Sequence, residues 1–194
     1  AGKPQEKKLV AIFSNFLQLM AGIMSPVIPS LIAAGFLTCL LLLLNLVFGL
    51  ESTNSTYVIL NNLAQSVFYF LPVFVAYTSA KKFDTEPVLA MLLACWLLYP
   101  DWVAMAGAGG YTTYFGIPAL LTTYNGAVLQ IILSVWVMSK IDQLLKKALP
   151  LSVRHFLKPF LLILITSVIT LTLTGPLGGL VTNYIAMFIA WIRN

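Results

Sequence analysis

The stretch "LNNLAQSVFYFLPVFVAYTSAKKFDTEP", residues 60–87, carries no charge until Lys81 and then has two lysines and two acids within six residues. A charge-free run of about 20 mostly apolar residues is long enough to cross the hydrocarbon core of a membrane. Lysines that border such a run favour the cytoplasmic side. The stretch therefore predicts a membrane helix with a cytoplasmic charged end, and Pro72 is expected to bend it.

The composition of the whole chain agrees with this interpretation. Of 194 residues, 60% are hydrophobic and 9% are charged, whereas soluble domains carry about 25% charged residues. Long charge-free runs extend over 9–50, 52–80, 102–139 and 159–192. A net charge of +5 would indicate nucleic acid as a partner of a soluble protein. Here the basic residues border apolar runs, so membrane topology and anionic lipid explain them better than nucleic acid does.

The alternation of apolar runs and polar turns predicts an all-α polytopic membrane protein with about five transmembrane helices. The predicted spans lie near 26–49, 57–80, 87–106, 119–139 and 159–175. A polar linker (1–8) and an amphipathic interfacial helix (9–25) precede them, and residues 140–158 are expected to form a basic amphipathic connector. A last helix at 177–192 is either interfacial or a sixth crossing, because about 16 residues is a marginal length for a span.

The basic residues fix an orientation for these spans. If the N-terminus is cytoplasmic, ten of the 11 basic residues fall on the cytoplasmic side: Lys3, Lys7, Lys8, Lys81, Lys82, Lys140, Lys146, Lys147, Arg154 and Lys158. The two predicted outer loops carry Glu51 and Asp101 and no basic residue. This asymmetry predicts a multi-pass protein with a cytoplasmic N-terminus.

Polar residues within the predicted spans are the candidate binding residues. Asn62 and Gln65 share one face of the second span, and Tyr124 and Asn125 lie in the fourth. Polar groups in hydrocarbon need partners, so they are expected to face other helices or a wet cavity. Two interpretations stay open: hydrogen bonds that hold helices together, or a path for a polar solute or water.

The remaining chemically active residues give weaker signals. His155, the only histidine, is either an interfacial residue near a helix start or a group that handles protons or substrate. Cys39 and Cys95 lie in apolar runs and are expected to be buried, inert thiols. The sequence presents no paired carboxylates, metal-ligand cluster or Ser/His/acid set, so it predicts no catalytic residue, no metal site and no cofactor.

Three segments of the chain resemble a known family. They are "SPVIPSLIAAGF" (25–36), "FYFLPVFVAYTSAKKFDTEPVLAMLLACWLLYP" (68–100), and the segment from "FGIP" to "GPLGG" (115–179). The order of these segments and the short motifs within them, such as "FLP", "KKF" and "GIP", resemble the membrane (enzyme IIC) domain of bacterial phosphotransferase-system (PTS) sugar transporters. The most similar branch is the β-glucoside, sucrose and trehalose group of the glucose superfamily. The resemblance covers residues 8–192.

The resemblance implies a protein of the bacterial cytoplasmic membrane that moves a sugar inward while other domains phosphorylate it. The implied partners are the sugar, the EIIB and EIIA domains or subunits, membrane lipid and a second copy of the chain. The phosphate route lies on those other domains, so neither cysteine matches the phosphocysteine site, and this segment carries no catalytic residue even though a whole family member is a transferase.

The chain is much shorter than a family EIIC domain. It resembles the N-terminal half, which serves as scaffold and dimerisation part, and residues 1–8 resemble a linker from a preceding EIIB domain. The alternative function is a free-standing small membrane protein that acts as an assembly partner or a channel. A reading frame that continues past Asn194 with the other half would favour the permease.

Overall fold

A computed structural model describes residues 4–124, 126–174 and 187 of the chain. The chain divides into two compact units, Ala1–Phe68 and Tyr69–Asn194. The described residues form eight α-helices and one two-stranded sheet. This confirms the predicted all-α class, with a small hairpin added.

The N-terminal unit consists of long helices. They are α1 (Pro4–Met24), α2 (Ile28–Phe48) and α3 (Ser55–Tyr69), whose last residue belongs to the second unit. Helix α2 ends where Gly49 adopts a left-handed conformation (φ 63°) and its N–H donates to the carbonyl oxygen of Leu44. Glycine suits this cap because it has no Cβ to resist a positive φ. Only Ala34 and Leu41 of α2 are buried, and a helix with so many exposed apolar side chains suits lipid rather than water.

The C-terminal unit contains the remaining elements. They are α4 (Leu71–Lys82), α5 (Pro87–Leu97), α6 (Pro100–Ala108), β1 (Tyr111–Tyr114), β2 (Ile117–Leu120), α7 (Val128–Ala148) and α8 (Leu151–Ile169), which continues as a π-helical turn over Thr170–Thr174. Helix α4 packs against α5 and α7, and α7 packs against α8. Fully buried alanines, including Ala76 on α4 and Ala90 on α5, provide small side chains where the helices pack. Small side chains let helix backbones approach closely, which is how membrane helices gain packing energy.

Among the described residues, three helices are long and apolar enough to cross a membrane, or up to five if each of two broken pairs counts as one span. The first pair, α3 and α4, is interrupted at Phe70, two residues before Pro72. A proline cannot donate to the carbonyl four residues earlier, so the helix breaks in the turn before it. The second pair, α5 and α6, bends by 46° and resumes at Pro100, again with proline in the first turn.

The region of the predicted fourth span differs most from expectation. The span was expected over 119–139, but Ile117–Leu120 forms β2, which pairs antiparallel with β1, and the helix begins at Val128. The hairpin turn is Phe115–Gly116, with φ values of 51° and 79°. Two positive φ values match the twist of a two-residue hairpin. The polar, β-branched run before Gly126 is a poor helix former, so the helix starts after it.

The predicted connector is helical almost throughout. Helix α7 continues to Ala148 and α8 begins at Leu151, so the turn between them is Leu149–Pro150, and Pro159 lies inside α8. Helix α1 begins at Pro4 and therefore includes part of the predicted linker. The predicted helix at 177–192 lies outside the described residues, apart from Met187.

The prediction that Cys39 and Cys95 are buried is wrong, because both are exposed. In a membrane protein the lipid-facing side of a helix is as apolar as its packed side. An apolar sequence around a cysteine therefore does not tell which of the two sides the thiol is on.

Candidate functional site

The structure describes four of the five predicted site residues, and they lie on different elements: two on α3 of the N-terminal unit and two in the C-terminal unit. Asn62 and Gln65 are exposed on α3, whereas Tyr124 is buried and lies in the loop that connects β2 to α7. His155 is exposed in the first turns of α8. Tyr124 precedes α7 and His155 follows it, and the 21 residues of that helix span about 30 Å. Asn125 lies outside the described residues.

Tyr124 ends a row of aromatic rings at the hairpin side of the C-terminal unit. Its ring centroid lies 6.4 Å from that of Trp102, which lies 5.9 Å from Trp96, which in turn lies 6.4 Å from Tyr114. The indole N–H of Trp102 donates to the carbonyl oxygen of Thr122 (3.3 Å). Such tilted ring contacts stabilise a fold beyond the area they bury. The row therefore ties α5, α6, β1 and the loop before α7 together.

The phenol of Tyr124 is fully buried, and among the described residues its hydroxyl has no hydrogen-bond partner. It lies in the loop before α7, and burial raises the pKa of Tyr124 to about 12. The neutral phenol therefore keeps its proton and can donate a hydrogen bond to a group that reaches it.

A network of charges around the buried Asp142 and Lys158 lies at the other end of the C-terminal unit. Asp142 on α7 is fully buried, and its two carboxylate oxygens meet Lys146 (2.8 Å) and Lys158 (3.0 Å). The ammonium group of Lys158 also donates to Glu86 (2.9 Å), and the hydroxyl of Thr85 donates to Asp142 (3.3 Å). These five residues, here named the ion-pair network, join the α4–α5 turn to α7 and α8.

The geometry of the α4–α5 turn places two members of the network. Asp84 adopts a left-handed conformation (φ 54°), and the backbone N–H of Thr85 donates to the carbonyl oxygen of Ala80 (3.0 Å). This is the Schellman pattern of a helix C-terminus, in which an aspartate can stand where glycine is usual. The cap turns the chain sharply, so that Thr85 and Glu86 reach the side chains of α7 and α8.

The α7–α8 turn is held by an arginine. The guanidinium of Arg154 donates to the carbonyl oxygens of Lys146 (2.6 Å) and Leu149 (2.9 Å). The carbonyl of Lys146 lies in the last turn of α7 and that of Leu149 directly follows the helix, where backbone acceptors have no partner within the helix. Together with the ion-pair network, this cap fixes the relative positions of α4, α7 and α8 at the end of the unit that carries Lys81, Lys82, Lys146, Lys147, Arg154 and Lys158, here named the basic end.

Reasoning from the sequence did not find the ion-pair network. The available signal was Asp142, the last acidic residue of the chain and the only one among the basic residues of 140–158. Its i, i+4 spacing to Lys146 predicts a helical ion pair. The contacts of Asp142 with Thr85 and Lys158, and of Lys158 with Glu86, join residues far apart in the chain, so no local pattern indicates them.

The C-terminal unit also has a partly open cavity of about 280 Å³ between α5 and α8. Most of its lining is leucine, isoleucine and the ring of Trp96, and its polar atoms come from Tyr114 and Ser167. The ion-pair network can hold helices in position, and the cavity can bind a guest molecule. The described residues hold no group of three or more His, Cys, Asp or Glu side chains that could hold a metal ion.

Comparison with known proteins identifies a family that the chain matches. Residues 21–193 match the family model described as "Phosphotransferase system, EIIC". The chain is 34% identical to the "PTS system beta-glucoside-specific EIIBCA component" of Halalkalibacterium halodurans, over 97% of this chain and 32% of that protein. It is 31% identical to the "PTS system sucrose-specific EIIBC component" of Klebsiella pneumoniae, over 86% of this chain and 37% of that protein.

A third relative is the "PTS system arbutin-, cellobiose-, and salicin-specific EIIBC component" of Escherichia coli, 30% identical over 100% of this chain and 40% of that protein. The chain thus spans about a third of the length of the relatives that it matches. No solved structure matches the chain.

Proposed function

The chain belongs to the EIIC family of the phosphotransferase system, and from this premise we propose that it is the N-terminal, scaffold part of a bacterial sugar permease. In this proposal the sugar is of the β-glucoside, sucrose or trehalose type, and its translocation is coupled to phosphorylation by EIIB and EIIA domains. The observation that carries the proposal is the family match over residues 21–193. The names of the relatives support the sugar class.

The ion-pair network supports the scaffold role. Alternating access needs a part that keeps its shape while another part moves against it. Asp142 is fully buried and Lys158 is 8% exposed, so separating them would leave a charge in a poorly solvated place. Helices joined in this way are suited to the static part of a transporter.

The exposed polar residues of α3 are the proposed contribution of this part to the sugar path. Asn62 and Gln65 are exposed on a helix that forms one of the broken spans. Amides at membrane depth need water, a ligand or a neighbouring helix. Tyr124, which follows the hairpin, is proposed to act at the hairpin side of the path, and Asn125 is proposed as a further residue of the path. His155, exposed close to the basic end, is proposed to act where the sugar leaves.

The proposed orientation puts the N-terminus and the basic end in the cytoplasm, where the EIIB and EIIA domains would act and where anionic lipid attracts lysines. Single cysteines test it, after Cys39 and Cys95 are replaced by serine. We expect Lys147→Cys to react with a membrane-impermeant maleimide from the cytoplasmic side and Thr113→Cys from the outer side. The reverse pattern would contradict the orientation.

The proposed assembly is a symmetric dimer formed through helices of this part. The support is the exposed apolar surface of α2, where Phe36 is 74% exposed and Leu46 is 78% exposed. Lipid and a second copy are the two apolar environments open to such a surface. Crosslinking and mass measurement in mild detergent should give a dimer, and a chain that stays monomeric at high concentration would count against it.

A transport experiment tests the proposed function as a whole. The complete reading frame is expressed in a bacterium that lacks β-glucoside and sucrose permeases, beside a matched strain that expresses residues 1–194 alone. We expect uptake of labelled sugar with the complete frame and none with residues 1–194. Uptake by residues 1–194 alone would favour the free-standing membrane protein over the scaffold.

A further inference from the structure

The cavity between α5 and α8 is not part of the proposed sugar path. It is lined by Leu92, Leu93 and Trp96 on one side and by Leu164 and Ser167, among others, on the other. Its volume of about 280 Å³ is roughly twice that of an engineered apolar cavity of about 150 Å³ that stays dry and binds benzene. A cavity of this size and lining has room for an apolar guest.

The hydroxyl groups in the lining donate their hydrogen bonds within the protein, so they do not favour a polar guest. The hydroxyl of Ser167 donates to the carbonyl oxygen of Leu164 (2.8 Å), so the hydroxyl of Tyr114 donates to Ser167 Oγ (3.1 Å). Both hydroxyl protons are therefore used within the protein. Water needs several polar partners to occupy a cavity, and a sugar would have to give up its hydration for walls of leucine and isoleucine.

The cavity adjoins the lipid-facing surface of α5. Val88, Leu92, Cys95 and Tyr99 follow one another at helical spacing and are all exposed, with Val88 at 74% and Leu92 at 50%. On a membrane-spanning protein an exposed stripe of this kind contacts acyl chains. Leu92 also lines the cavity, so the surface covered by lipid continues into it.

We propose that the cavity binds one acyl chain of a membrane phospholipid, which enters past Leu92 and packs beside Trp96 and Leu164. The chain leaves an environment as apolar as the cavity, so dispersion contacts with the walls, rather than removal from water, stabilise it there. The inner wall includes Leu93, which is only 1% exposed. An acyl chain on the outer surface cannot reach this residue.

Photolabelling tests the proposal on the full chain in vesicles. The phospholipid carries a photoactivatable diazirine on its acyl chain, and mass spectrometry locates the labelled residues. We expect labelling at Leu93 several-fold above that at Leu97, and labelling at Val88 from lipid on the surface. Leu97 is the matched control because it lies on the same helix and is fully buried, but does not line the cavity.

A cavity-filling variant sharpens the test. Leu164→Phe should reduce labelling at Leu93 to the level at Leu97 and leave labelling at Val88 unchanged. Leu157→Phe, on the exposed side of the same helix, should change neither. In the unchanged protein, labelling that stops at Val88, Leu92 and Cys95 would overturn the proposal, as would labelling at Leu93 that survives Leu164→Phe. Absence of labelling at both Leu93 and Val88 in the unchanged protein would indicate that a second copy of the chain covers this surface, and it would also overturn the proposal.

Discussion

Replacing Lys158 by methionine should destabilise the protein more than any substitution of an exposed lysine. The substitution keeps most of the length of the unbranched side chain and removes its charge. Asp142 then loses one of its two ion pairs, and the pair that is left, with Lys146 at 2.8 Å, includes a partner whose side chain is 44% exposed. Glu86, with its side chain 49% exposed, can turn to water, whereas Asp142 cannot.

The magnitude follows from burial. Breaking a buried ion pair by removing one partner costs about 3–5 kcal/mol, because the other charge is left buried and uncompensated. Since Lys146 still pairs with Asp142, we expect Lys158→Met to lie at the lower end, about 3 kcal/mol. For a chain of this length such a change lowers the melting temperature by about 6–12 °C.

Thermal unfolding of the purified protein in mild detergent measures the effect. The matched control is Lys147→Met, because Lys147 is exposed at the end of α7, next to Lys146, and it should change stability by less than about 0.5 kcal/mol. The double variant Lys158→Met/Asp142→Leu should recover much of the loss, since buried pairs can be replaced by apolar residues at little cost. A Lys158→Met protein as stable as Lys147→Met would refute the reasoning about the network.

Three further predictions follow from other contacts. Gly116→Ala should lower the stability by about 1 kcal/mol, because Gly116 has a φ of 79° in the hairpin turn. The control is Gly107→Ala inside α6, where an added Cβ meets nothing within 4 Å; it should be neutral or stabilising in the same melting assay. Arg154→Lys should lower the melting temperature although it keeps the charge. Both carbonyls accept from Nη2 of Arg154, and the lysine ammonium is one bond closer to the backbone than Nη2 and lacks the planar geometry of the guanidinium; equal stability would contradict the cap. Trp102→Phe should cost about 1 kcal/mol by leaving the carbonyl of Thr122 without its donor, and Trp136→Phe, on the exposed side of α7, is the control expected to cost less.

The sequence predicts most of the fold, for physical reasons that particular residues make clear. The apolar runs are long and nearly free of charge, so membrane helices such as α2 follow from hydropathy alone. The hairpin at Tyr111–Leu120 was not predicted because a short apolar segment such as "IPAL" suits a strand as well as a helix. The choice depends on the pairing of Thr112 with Ala119 and Thr113 with Pro118.

The site was less predictable than the fold. Candidate residues could be chosen by polarity, but polarity does not distinguish Tyr124, which is buried, from Gln65, which is exposed. The ion-pair network depends on Lys158 meeting Asp142 across the α7–α8 turn and Glu86 of the α4–α5 turn. Such contacts are set by the tertiary fold, so a single sequence indicates the charges but not their pairing.

Coupling of sugar entry to phosphorylation tests the account most directly. Vesicles that contain the complete protein enclose phosphoenolpyruvate and the general phosphotransferase proteins, and labelled β-glucoside or sucrose is added outside. The account predicts that sugar phosphate accumulates inside and that omitting phosphoenolpyruvate abolishes accumulation. Equilibration of free sugar at the same rate with and without phosphoenolpyruvate, and no sugar phosphate, would contradict it.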